Sequence, residues 1–202
     1  GVEAAADRHT YTTVHAYPPA AIRRAIAAGV QCIEHGHLMD DATAQLMAEK
    51  DIWLSTQPFV DESDVPPLAG QSRINLLQVI AGTNNVYTLA KKHKIKTAFG
   101  SDLLFSSKFT PHQSLMLTHL ARWYGNADIL KMATSVNAEL LAMSGPRNPY
   151  PEKLGVIEAG ALADLLVVDG NPIEDIQLVA DPARNFMVIM KDGRIYKNTL
   201  AS

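Results

Sequence analysis

Three strand-like segments of this chain each stop on a side chain that can bind a metal ion. Residues 12–15 (TTVH) end on His15, residues 31–35 (QCIEH) on His35, and residues 98–102 (AFGSD) on Asp102. A fourth segment, residues 52–57 (IWLSTQ), ends on Gln57. These runs are rich in β-branched, aromatic and other apolar residues, which suits strands. The first three strands start about twenty residues apart, with a helical pattern between neighbours. That spacing predicts parallel strands joined by right-handed crossovers. Four such units are half of a (β/α)8 barrel, or most of an open doubly wound sheet. Barrel enzymes carry their chemistry at the C-terminal ends of several strands, where His15, His35 and Asp102 all sit. No G-x-G-x-x-G or P-loop pattern follows any strand, which removes the usual nucleotide-binding reason for an open sheet.

The intervening segments carry their own punctuation. Pro18 and Pro19 open the first crossover helix, where a missing N–H costs nothing, and Gly29 closes it. Asp40 or Asp41 caps a helix that ends at Lys50. Residues 58–71 break the rhythm with the acidic run 61–64, then Pro66, Pro67 and Gly70. A loop of that length after a strand end is expected to form a wall or lid over the site. Helix resumes near Ser72, with Ile74, Leu77 and Ile80 on one face, and GTNN (82–85) is expected to interrupt or recap it. Residues 106–111 read as a second loop. Thr110 is expected to cap a helix from Pro111 that carries Leu115, His119, Leu120 and Trp123 on related faces. Short helices follow at 127–134 and 137–143.

After residue 145 the texture changes. Pro146, Pro149, Pro151, Gly155, Gly160 and Gly170 separate short apolar runs. Residues 162–168 and 186–190 read as strands, and KDGR (191–194) as a tight hairpin turn. The predicted organisation is an α/β half-barrel over residues 1–147 and part of a small β module over residues 148–202.

Net charge is −3 and no basic block is present, so nothing favours nucleic acid or an anionic membrane as a partner. KKHK (91–94) reads as the solvated end of a helix, where positive charge suits the dipole. Cys32 is the single cysteine, which excludes an intrachain disulfide and suits a reducing, cytoplasmic setting. No apolar run reaches the ~18 residues that a membrane helix needs. The start lacks the basic and apolar regions of a signal peptide. Gly1 stands almost directly before a core-like strand, as expected of a processed or partial chain.

Neighbouring strands lie under ~5 Å apart, so groups on adjacent tips converge. Imidazole and carboxylate suit zinc and similar divalent metals. His15, His35 and Asp102 would therefore form a mononuclear site with one open position. Asp102 is also placed to take a proton from an attacking water whose pKa the metal lowers.

Four stretches together resemble the metal-dependent amidohydrolase superfamily, and most nearly its imidazolonepropionase and prolidase-like branch. They are VHA (14–16), AAGVQCIEHG (27–36), FGSD (99–102) and ADLLVVDGNP (163–172). The resemblance covers the chain as the C-terminal half of such an enzyme. It implies a (β/α)8 TIM barrel with one or two divalent metals, most often zinc, and a hydrolase that cleaves C–N bonds of dipeptide-like or cyclic amide substrates. His15 would end strand five, His35 strand six, and Asp102 strand eight as ligand and proton shuttle. Residues 163–169 would belong to a composite β-sandwich built from both chain ends. The family's strand-one His-x-His pair and strand-four carboxylated lysine would precede Gly1. A partner carrying that half, or self-association through unpaired barrel edges, is therefore expected.

Secondary roles follow from position. Tyr17 could point a phenol at the substrate, and Gln57 could donate a hydrogen bond to it. His37 is expected to support the ligands, Ser101 to fix the local backbone, and Glu34 to be a structural partner on the opposite side of its strand. His9, His93, His112 and His119 stay outside the metal set. Asp61, Glu62 and Asp64 offer a pocket for a basic substrate side chain. Alternative readings are the same fold acting on a phosphoester, carbamate or lactone, and a non-catalytic α/β fragment or protein-binding subunit.

Overall fold

A computed structural model describes residues 1–103, 107–150 and 152–200. The chain is α/β. Strands β1 (Thr13–Ala16), β2 (Cys32–His35), β3 (Trp53–Thr56) and β4 (Thr97–Phe99) form one parallel sheet in the order β1-β2-β3-β4. That order, with helices in the crossovers, is the arrangement of part of a (β/α)8 barrel. A second, antiparallel sheet joins β5 (Leu165–Val168), β6 (Phe186–Lys191) and β7 (Arg194–Asn198).

The helices form where the sequence supplies ends for them. A short α1 (Val2–Ala6) precedes the sheet. Helix α2 (Pro19–Ala27) begins on proline and stops before Gly29, whose φ of 91° is left-handed. Helix α3 (Asp41–Glu49) is capped by Asp40, whose side chain accepts the Thr43 N–H at 2.8 Å. Helix α4 (Gly70–His93) runs 24 residues to a left-handed Lys94. GTNN thus neither breaks nor recaps it. Gly82 stays helical because α4 passes hard against the backbone at His37, leaving no room for a Cβ. Ile74 and Leu77, expected on one face with Ile80, are exposed.

The helix predicted from Pro111 is shorter and differently capped. A 3₁₀ turn (Thr110–His112) leads into α5 (Gln113–His119), with Phe109 rather than Thr110 at the cap position. Leu115 is exposed. The two short helices expected next are one continuous run: α6 (Asn126–Lys131), a π turn (Met132–Val136) and α7 (Asn137–Ala142). A final single turn, α8 (Pro182–Asn185), precedes β6. The predicted 106–111 loop begins at Ser106, which lies outside the described residues. The hairpin turn matches expectation, with Asp192 and Gly193 both at positive φ.

The largest hydrophobic cluster links the pieces. Ile22, Ile33, Met47, Leu54 and Tyr87 pack between sheet and helices, and Ile176, Val179 and Phe186 from the C-terminal segment join the same cluster. Cys32 is fully buried, with its thiol pushed up to about 12, chiefly by burial. The outer edge of β4 is not bare. Asn137 accepts the Phe99 N–H at 2.9 Å and donates to the Phe99 carbonyl at 3.0 Å, taking the place of a neighbouring strand at that residue. No helix among the described residues is long and apolar enough to cross a membrane.

Candidate active site at the strand tips

The parallel register sets a problem that the backbone then solves. His15 pairs with Glu34, and Ala16 with His35. Residues opposite one another share a face, so strict alternation would separate His15 from His35. Instead the two rings meet edge to face with centroids 4.3 Å apart. His35 ends β2 with φ 76°, and Gly36 follows at 68°. This left-handed step breaks the alternation and turns the imidazole toward its neighbour. Asp102 is also left-handed, at φ 53°. A non-glycine residue held there costs of order 1–3 kcal/mol, a strain that clusters at functional sites. Glu34 keeps the structural role expected of it, accepting a 2.7 Å hydrogen bond from the Thr13 hydroxyl.

His35 is buried and firmly oriented. Its Nδ1 lies 2.7 Å from Gln57 Oε1, an oxygen that only accepts, so Nδ1 carries the proton. Burial holds the ring below the usual histidine pKa. The neutral ring therefore presents a free lone pair on Nε2, the form that binds a cation. Gln57, expected to donate to substrate, is itself buried with its carbonyl end committed to His35. His37 sits one layer deeper. Its Nε2 donates to the Gln57 carbonyl at 2.9 Å, its Nδ1 is buried without a partner among the described residues, and burial drives its pKa down to about 4.

Tyr17 closes the other side. Its ring stacks on His35 at 4.7 Å and meets His15 edge-on at 4.9 Å. Burial, with a smaller push from the Asp102 carboxylate, raises its phenol to about 12. The hydroxyl therefore stays protonated as a donor. Asp102 is exposed at the rim, close enough for its charge to act on both Tyr17 and His35. Asp102 and Tyr17 line a cavity of about 280 Å³, with Phe59, Val65 and Leu68 of the β3–α4 loop forming part of its wall.

Of the three expected ligands, the structure brings the two histidines together. No group of three His, Cys, Asp or Glu side chains is gathered tightly enough to hold an ion among the described residues. The donor chemistry of the histidine pair nonetheless fits a divalent metal: two imidazoles on neighbouring tips, one of them with its tautomer fixed.

The acidic loop departs from expectation. Asp61 caps a 3₁₀ turn by accepting the Ser63 N–H, buried Asp64 accepts the N–H groups of Val60 and Asp61, and Glu62 pairs with Arg73 at 2.7 Å. Asp64 also faces His119 Nδ1 at 3.7 Å, and none of the three acids lines the cavity. Two residues escaped the sequence reading. Asn137 reads in the sequence only as the start of a helix, and no local signal marks its half-buried side chain as a partner of Phe99. Gly82 was read as a helix breaker.

The amidohydrolase family profile matches residues 2–197. The chain belongs to the amidohydrolase family. It is 25% identical over 200 residues to ochratoxinase of Aspergillus niger, a match spanning 97% of this chain and 40% of that protein. A crystal structure of an amidohydrolase superposes with a TM-score of 0.86 at 36% identity, covering 99% of this chain and 48% of its own. A prolidase complexed with N-methylphosphonate-L-proline gives 0.85 at 34% identity, covering 98% and 47%. The chain thus spans less than half the length of these family members.

Proposed function

We propose that this amidohydrolase chain supplies strands five to eight of a metal-dependent hydrolase that cleaves a C–N bond in a dipeptide-like or N-acyl amino acid substrate. The juxtaposed His15 and His35 at neighbouring strand tips, with Asp102 at a third, carry the reading. In it, His15 and His35 would hold a divalent metal such as zinc, with Asp102 as a further ligand. The bound ion would activate water and polarise the scissile carbonyl. Asp102 takes a proton from the attacking water and delivers one to the leaving nitrogen as the C–N bond breaks. Gln57 keeps His35 in the Nδ1–H form, leaving Nε2 to bind. Tyr17, held protonated, donates a hydrogen bond to the substrate carbonyl oxygen as charge gathers there. The dipeptide class is supported by likeness to the prolidase and to a Xaa-Pro dipeptidase 30% identical to this chain, with a TM-score of 0.81.

The ligands and the second barrel half that this chain lacks would come from an N-terminal portion. The test is a barrel completed with that half, with and without Asp102→Ala. The variant should keep its fold and lose nearly all turnover of an Xaa-Pro dipeptide. Near-normal turnover would refute the role given to Asp102. His15→Ala should lower the metal content measured on the same protein.

A further inference from the structure

The cavity beside Asp102 is walled by two parts of the chain. The β3–α4 loop supplies Phe59, Val65 and Leu68, and helix α4 supplies Leu76 and Val79. Ser72 and Asn75 of α4 complete that wall. Positions 72, 75, 76 and 79 recur at helical spacing, so one stripe of α4 faces inward where the helix overhangs the strand tips. Phe59 and Val79 are buried, Val65 and Leu76 are half-buried, and Ser72 and Asn75 are exposed. The buried end is thus apolar and the polar groups are solvent-accessible. Leu68, at 44% exposure, leaves apolar surface to water at this wall. Asp102 is the sole charged residue among the lining residues, because the loop's own acids are bonded elsewhere.

We propose that this cavity is a specificity subsite for an uncharged, apolar substrate side chain on a residue flanking the scissile C–N bond. The inference rests on the hydrolase reading above and adds the substrate class. Tyr17 and Asp102 belong to both the strand-tip site and the cavity, so an amide held at Asp102 has its neighbouring side chain at the mouth. A basic side chain entering there would lose water and find no carboxylate except the one needed for proton transfer. An acidic one would meet the Asp102 charge. An apolar one takes surface of Leu68, Val65 and Leu76 out of water.

The experiment is calorimetric titration of the completed, metal-loaded barrel with reduced-amide dipeptide isosteres that carry Leu, Ala, Lys or Glu side chains at either position. The Leu isostere should bind at least about tenfold more tightly than the other three, the effect of burying one aliphatic side chain. Leu76→Arg, at a half-buried helical position, should erase that advantage and favour Glu over Leu and Lys. Leu68→Arg, at a more exposed position, serves as the second variant and should act in the same direction. Equal affinities, tighter binding of Lys, or variants that weaken every isostere alike would overturn the subsite. Turnover assays separate the two readings. A Leu preference without cleavage of any amide sinks the hydrolase and keeps the subsite, and cleavage without the preference does the reverse.

Discussion

Gly82→Ala sets helix propensity against packing. Gly82 lies within the 24-residue α4. In an open helix the change would stabilise by about 0.8–1 kcal/mol, since glycine loses more backbone freedom on folding. Here a Cβ would fall on the His37 carbonyl, 3.0 Å from its carbon and 3.1 Å from Leu38 Cδ2. Ordinary contact begins at 3.4 Å. The obstruction is backbone rather than the far end of a flexible side chain, so α4 or the β2–α3 connection must retreat by about 1 Å. Overpacking of this kind costs about 1–3 kcal/mol. Subtracting the propensity gain leaves a net loss of at most roughly 2 kcal/mol, and a backbone obstruction puts it toward that upper end. Urea denaturation followed by circular dichroism should show a lower midpoint at an unchanged slope. The same displacement reaches the residues around His35 and the α4 wall of the cavity, so ligand affinity should fall alongside stability. A variant as stable as the parent, or more so, would refute the claim that Gly82 is needed for close approach.

Two further outcomes follow from the hydrogen bonds. Gln57→Leu leaves the buried His35 Nδ1 without its acceptor and should cost about 1–3 kcal/mol in urea denaturation; histidine ¹⁵N NMR should show His35 losing its single Nδ1–H tautomer, and an unchanged spectrum would count against the orienting role. Asn137→Ala strips the Phe99 N–H and carbonyl of their partner and should destabilise by a similar ~1–3 kcal/mol; amide exchange at Phe99 should quicken, whereas unchanged protection would mean that Asn137 is not what covers the β4 edge.

The order of elements was legible because its signals are local. Short apolar runs separated by helical segments marked the four parallel strands, Pro19 and Asp40 marked helix starts, and Asp192-Gly193 marked the hairpin. The strand tips also named His15, His35 and Asp102 as candidates, since a strand that stops on a ligand-type side chain is visible residue by residue. The acidic loop was misread because composition records charge but not where charge is spent. Asp61 and Asp64 bond their own backbone, and Glu62 is held by Arg73 eleven residues away.

What the tertiary structure alone decided is how these pieces meet. Sequence alternation would have put His15 and His35 on opposite faces; the left-handed backbone at His35 places them side by side, and no residue type announces that φ reliably. Gly82 carries a breaker's signal, yet its purpose is contact with His37, 45 positions earlier. Asn137 completes an edge 38 residues away, and Leu76 and Val79 become a cavity wall only once α4 overhangs the tips. Local patterning fixes which elements form because each depends on near neighbours in the chain. Site geometry depends on distant groups brought within a few ångströms, and that information exists only in the packed fold.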